Sequence, residues 1–226
     1  MGVLILMIDK SRYRPVKFVI AVILFAYLSY FIQSGAVGID LFDAGLISLA
    51  TIKVNGFFTL IFKVISWLAS PGRDILWIVL LAFLLYGFKY KIQALWSLAL
   101  MAGGVVLDFI FKHLVARARP IGHLATDTGY SYPSGHTMGT FILVATIIII
   151  IVPEIDNYRL AQTVKWVSII WLILVMVARV YLQAHYPTDT IGAVLLGWLW
   201  VEIMEWVYIW CAPTLINWRL CYRSYL

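Results

Sequence analysis

The chain has 226 residues, of which 63% are hydrophobic and 12% charged, with a mean hydropathy of +0.95. That balance excludes an ordinary water-soluble domain and defines a polytopic membrane protein. The 17 Lys and Arg against 11 Asp and Glu give a net charge of +6, which in a membrane chain reports loop cations that set orientation and meet anionic headgroups, not a nucleic-acid surface.

A membrane span needs roughly 17 to 25 mainly apolar residues. Six stretches meet or approach this, at about 16–33, 73–88, 92–111, 137–152, 164–184 and 188–211. The first follows Lys10, Arg12, Arg14 and Lys17 and has no small-residue cleavage site, so it reads as a retained span with a cytoplasmic amino terminus. Between the first two spans, residues 39–70 are apolar but interrupted by Asp40, Asp43, Lys53, Asn55, Lys63 and Ser70-Pro71. That pattern predicts one or two helices at the interface or re-entering partway, with a seventh span over 55–70 as the rival. Six spans leave ten of the cations inside and seven outside, and both termini in the cytoplasm. The two cysteines, Cys211 and Cys221, have no paired spacing and no neighbouring ligand cluster. With no repeat or low-complexity tract, the expectation is one all-α domain: a first span and interfacial segment over 1–72, a core over 73–211 and a cytoplasmic tail over 212–226.

Three polar islands stand out because ionisable groups at a membrane are costly. The first, Lys112 to Pro120, reads K-x6-R-P. Were the helix to continue to Arg119, Lys112 and Arg119 would share a face two turns apart, with Pro120 turning the chain away. Ammonium and guanidinium together suit phosphate oxygens, although taken alone they also suit cations snorkelling to headgroups. The second, Pro133-Ser134-Gly135-His136, precedes an apolar run. Ser134 is a natural N-cap, the first turn offers free N–H groups and a positive dipole end, and His136 is placed to give or take a proton. The third reads R-x5-H-x3-D from Arg179 through His185 to Asp189. A carboxylate four residues from an imidazole can fix its tautomer and sharpen the opposite nitrogen as a nucleophile. In the six-span layout all three islands fall on the outer face.

This ordered trio resembles the three-part signature of the type 2 phosphatidic acid phosphatase superfamily, which includes membrane lipid phosphatases, glucose-6-phosphatases and vanadium haloperoxidases. The resemblance covers about 73–211 and departs at Ala178, where the family pattern usually has Ser before the arginine. It implies that His185 is the nucleophile, that Asp189 orients and charges its imidazole, and that His136 protonates the leaving oxygen. Lys112, Arg119, Arg179, Ser134 and Gly135 would hold the nonbridging oxygens. No metal or other cofactor is implied. His113, His123, Arg117 and Tyr181 lie close enough in sequence to support the site, and Asp108 is better placed to pair with a cation than to catalyse.

The reading that follows is a lipid phosphatase of a bacterial plasma membrane, working through a phosphohistidine at the outer face. Undecaprenyl diphosphate is the favoured substrate, with phosphatidylglycerophosphate or phosphatidic acid as rivals and a lipid-linked phosphotransferase beside them. No protein partner is called for. A transporter or channel could also carry intramembrane cations, but it would place them near midspan, whereas these gather at helix ends.

Overall fold

In the computed structural model the described residues are 12–52, 54–121, 127–222 and 224–225. Among them are eight α-helices and no strand: α1 Arg14–Gln33, α2 Val37–Ala50, α3 Gly56–Leu68, α4 Pro71–Gly87, α5 Lys91–Val115, α6 Gly135–Thr146, α7 Tyr158–Tyr181 and α8 Pro187–Leu215. α6 runs on through a π-helical turn, Ile147–Ile151, and a 3-10 turn, Val152–Glu154. The starts obey simple rules. Pro71 and Pro187 occupy first turns, where a missing N–H costs nothing. The side chains of Asn55, Ser134 and Asn157 accept from the N–H of Phe58, Thr137 and Leu160.

Among the described residues, α1, α5, α6 with its continuation, α7 and α8 are each long and apolar enough to cross a bilayer, and α3 with α4, bent by 50°, makes a sixth candidate. The chain is a multi-pass membrane protein. The rival seventh span over 55–70 is not formed, because α3 has 13 residues, a rise of about 20 Å against a hydrocarbon core of about 30 Å. The broken stretch over 39–70 is instead two short helices.

Packing puts α6 in the middle, against α4, α5, α7 and α8, while α1 lies along α8 and α2 and α3 lean on α7. Ile78, Leu100, Ile142 and Leu196 fill the interior, and Phe83 and Phe109 face outward. This apolar surface suits lipid, since helices already satisfy their backbone polar groups. At one end α1 is held to α8 by charge: Arg14 Nε donates to Glu205 Oε2 at 2.9 Å and lies 3.7 Å from Glu202, whose Oε1 accepts from the Trp198 indole at 3.0 Å. The tail also returns there, where Ser224 Oγ accepts the Lys91 N–H at the start of α5.

The opposite end gathers the carboxyl ends of α5 and α7 and the amino ends of α6 and α8. Tyr132 anchors the loop between α5 and α6: it is wholly buried, its hydroxyl is 2.8 Å from Ser29 Oγ, and its ring stacks over Phe25. α8 can pass only because residue 192 is Gly, since a Cβ there would sit 2.3 Å from the Tyr132 ring. Gly192→Ala is therefore expected to destabilise the fold by about 1–3 kcal/mol, read as a lower melting temperature in detergent, with Gly38→Ala, which meets nothing within 4 Å, as the control.

Candidate active site

Phosphate chemistry asks for a nucleophile with a free lone pair, held among cations. His185 falls between α7 and α8 and is 1% exposed. Its Nδ1 is 2.7 Å from the Ser131 carbonyl oxygen, and since a carbonyl only accepts, Nδ1 carries the hydrogen. Nε2 then presents its lone pair, and Arg119 donates to it from 3.2 Å. Burial takes the imidazole down to about 4, assisted by the charges of Arg179 and Arg119 against the opposing pull of Asp189. His185 is thus a neutral base at ordinary pH.

Asp189 lies 3.6 Å from Nδ1, farther than the Ser131 carbonyl. Helix geometry explains this. α8 begins at Pro187, so His185 precedes the helix and Asp189, at its third position, turns back to accept the Tyr186 N–H at 2.9 Å. Its other oxygen takes the Arg117 guanidinium at 2.8 Å. Asp189 is fully buried, and its charge reaches the ring across space.

The first island does not lie on one helical face. α5 stops at Val115, with Ala116 in the left-handed region at φ 51°, so Arg119 belongs to the following loop. The loop folds back through Ser131 N–H to the Arg117 carbonyl at 2.8 Å and Ser131 Oγ to the Ala118 carbonyl at 3.0 Å. That fold, rather than helical spacing, brings Arg119 to His185. The guanidinium is fixed by the carbonyls of Ala184, Gly129 and Thr128. Lys112, at the end of α5, donates to the Pro133 carbonyl and lies 3.3 Å from Asp108, which is the pairing expected of that aspartate.

Arg179 comes from the last turn of α7 and is 1% exposed. It donates to Ser66 Oγ of α3 at 2.5 Å and to the Asp127 carboxylate. Burial would raise the Asp127 carboxyl, but the guanidinium overrides it and holds the group below the usual carboxylate range. Ser134 caps α6 and is completely buried, Gly135 opens the helix, and His136 follows at its second position, near enough to Arg179, Asp127 and His185 to feel their charges. A Cβ at Gly135 would come 3.2 Å from Asp108. All eight residues singled out in the sequence thus collect at one end of the bundle. Among the described residues no cluster of three His, Cys, Asp or Glu could hold a metal ion.

Five members were missed or undervalued. Ser131 acts through its carbonyl, which no residue type reveals. Arg117 carries the central ion pairs, being 2.7 Å from Asp43 and 2.8 Å from Asp189. Asp43, Ser66 and Asp127 lie outside the three motifs. A buried acid in an apolar helix was the available signal for Asp43. His113 packs on Phe109 and Tyr130, and Tyr181 on Phe62 with its hydroxyl 3.0 Å from Thr59. His123 lies outside the described residues.

Residues 91–212 match the PAP2 superfamily, and the chain belongs to that family. The phosphatidylglycerophosphatase B of Haemophilus influenzae is 33% identical over 98 residues, covering 42% of this chain and 39% of that one. The undecaprenyl-diphosphatase of Sulfolobus acidocaldarius is 29% identical over 149 residues, 62% of this chain and 66% of that one. The chain thus spans between about two fifths and two thirds of the length of these relatives. The fold resembles that of a crystal structure of a transmembrane PAP2 type phosphatidylglycerolphosphate phosphatase from Bacillus subtilis, with a TM-score of 0.76 at 20% identity over 92% of this chain and all of that one.

Asp127 occupies the Arg179 guanidinium, so an anion that bound Arg179 would compete with it. Asp127→Asn is expected to tighten inorganic phosphate binding about three- to tenfold, equivalent to about 0.6–1.4 kcal/mol, by calorimetry on the detergent-solubilised protein. Unchanged or weaker binding would show that the carboxylate does not compete.

Proposed function

We propose that the protein is a membrane lipid phosphatase that works through a phosphohistidine. The observation that carries this is the neutral His185, with Nε2 unprotonated and pointed at Arg119 beside Arg179, Lys112 and the amino end of α6. In the first step Nε2 bonds to phosphorus while the bond to the leaving oxygen breaks and His136 supplies that oxygen's proton. Arg119, Arg179 and Lys112, with the Ser134 and Gly135 end of α6, neutralise the nonbridging oxygens as charge gathers on them. Positive charge develops on the imidazole, and the nearby Asp189 favours it. Water, giving a proton back to His136, then breaks the N–P bond and releases inorganic phosphate.

Undecaprenyl diphosphate is the preferred substrate, supported by the match to the undecaprenyl-diphosphatase, whose sequence alignment spans more of both chains than that to the Haemophilus influenzae phosphatase. Phosphatidylglycerophosphate is the second reading, favoured by the relatives that bear that name. The loop cations support termini in the cytoplasm and a site on the outer face of the plasma membrane, and the bacterial sources of several relatives support a bacterial cell.

The test is phosphate release from both lipids in mixed micelles containing EDTA, with His185→Ala alongside. Wild-type release abolished by the substitution is expected, and the faster lipid identifies the substrate. Equal inactivity of both proteins on both lipids would overturn the reading. The imidazole's position near 4 also has a sign: its free base persists well below the usual His range and is lost only as pH falls toward 4. The acid limb of kcat/KM is therefore expected near pH 4–5, and a limb at the ordinary imidazole value near 6.5 would contradict a buried neutral nucleophile.

A further inference from the structure

We infer that Asp43, on α2 and outside the stretch that matches the family, is a positioning residue for the His185–Asp189 pair. The inference rests on the phosphatase reading above. Asp43 is 1% exposed, in a helix otherwise made almost wholly of apolar and small residues. Its Oδ1 accepts the Thr188 N–H at 2.9 Å, and its Oδ2 accepts the Thr188 hydroxyl at 2.6 Å and Arg117 Nη2 at 2.7 Å. Arg117 Nη1 then reaches the Thr188 hydroxyl at 2.7 Å and Asp189 Oδ1 at 2.8 Å, with the guanidinium lying 3.9 Å over the Tyr186 ring. One guanidinium is thus shared between two buried carboxylates, one from α2 and one from the turn that carries the nucleophile.

Two consequences follow from this sharing. The first is geometric: Asp43 ties down the second residue of α8 by backbone and side chain together, fixing the turn in which His185 and Asp189 stand. The second is electrostatic. Arg117 alone would neutralise Asp189, whereas with Asp43 the trio keeps one net negative charge behind the imidazole. A phosphorylated ring that retains its Nδ1 hydrogen is positive, so this residual charge favours the phosphoenzyme and the transition state before it. Asp43 touches neither substrate nor the reacting atoms and acts only through Thr188, Arg117 and Asp189.

Asp43→Asn preserves size and removes the charge. It is expected to lower kcat about tenfold or more with KM within about twofold of wild type, because the phosphate cradle of Lys112, Arg119 and Arg179 is untouched. Combined with Arg117→Gln it should cost little beyond Arg117→Gln alone, the non-additivity of residues acting as a unit. The measurement is phosphate release from undecaprenyl diphosphate and phosphatidylglycerophosphate, on variants matched for melting temperature and elution in detergent. Should Asp43→Asn not survive purification, Thr188→Val, which deletes the hydroxyl that Asp43 holds and keeps the charges of the trio, carries the kcat test of the geometric half. Wild-type kcat in a well-folded Asp43→Asn, or full additivity of the pair, overturns the inference while leaving the phosphatase reading intact. An inactive wild type overturns both.

Discussion

The hydrogen bond from His185 Nδ1 to the Ser131 carbonyl is the contact on which the active end of this molecule turns. A buried imidazole must satisfy its polar atoms, and which nitrogen holds the hydrogen decides whether the ring can attack phosphorus. Giving Nδ1 a carbonyl leaves Nε2 as the unprotonated nitrogen, with Arg119 beside it. Much of the local structure serves that bond: the loop folds back on Arg117 and Ala118 to place Ser131, Tyr132 is wedged between α1 and α8, and Ser134 takes the Asp189 carbonyl at 3.2 Å to join the two helix starts. Asp189, relieved of holding the hydrogen itself, is free to accept from the Tyr186 N–H and from Arg117.

The site also neutralises itself before any substrate arrives. Arg179 is matched by Asp127, Lys112 by Asp108, and Arg117 by Asp43 and Asp189. Cations massed at one end of a helical bundle would otherwise repel one another in a medium of low polarity. Arg119 is the exception, held by three backbone carbonyls and the histidine instead of by a carboxylate. Its charge is screened least by its partners, and it is the one beside His185 Nε2.

The apolar runs made the helices legible in advance, and Ser134 and Pro187 marked the starts of α6 and α8, because capping and backbone restriction are local. The eight site residues were legible for a related reason: each is a costly group in an apolar setting. The end of α5 was not. Nothing in Ala116 announces a left-handed residue, and the loop's return, set by Ser131 and Tyr132, overrode the helical spacing from Lys112 to Arg119. The contributions of Asp43 and Ser66 were hidden because they arrive from distant helices, and a carbonyl such as that of Ser131 has no signature at all. Residue type disclosed which groups are costly in an apolar setting, while tertiary contact decided which of them meet.

The ion pairs between Arg14 and the two acids of α8 bear on how the chain is made. α1 leaves the ribosome ahead of α8, which carries Glu202 and Glu205. The ion pairs that seat α1 against α8 therefore cannot close until α8 has been inserted. Phe25 and Ser29 of α1 also support Tyr132, so the loop that orients His185 is completed by the same late docking. The orientation of His185 is in this way coupled to the arrival of α8.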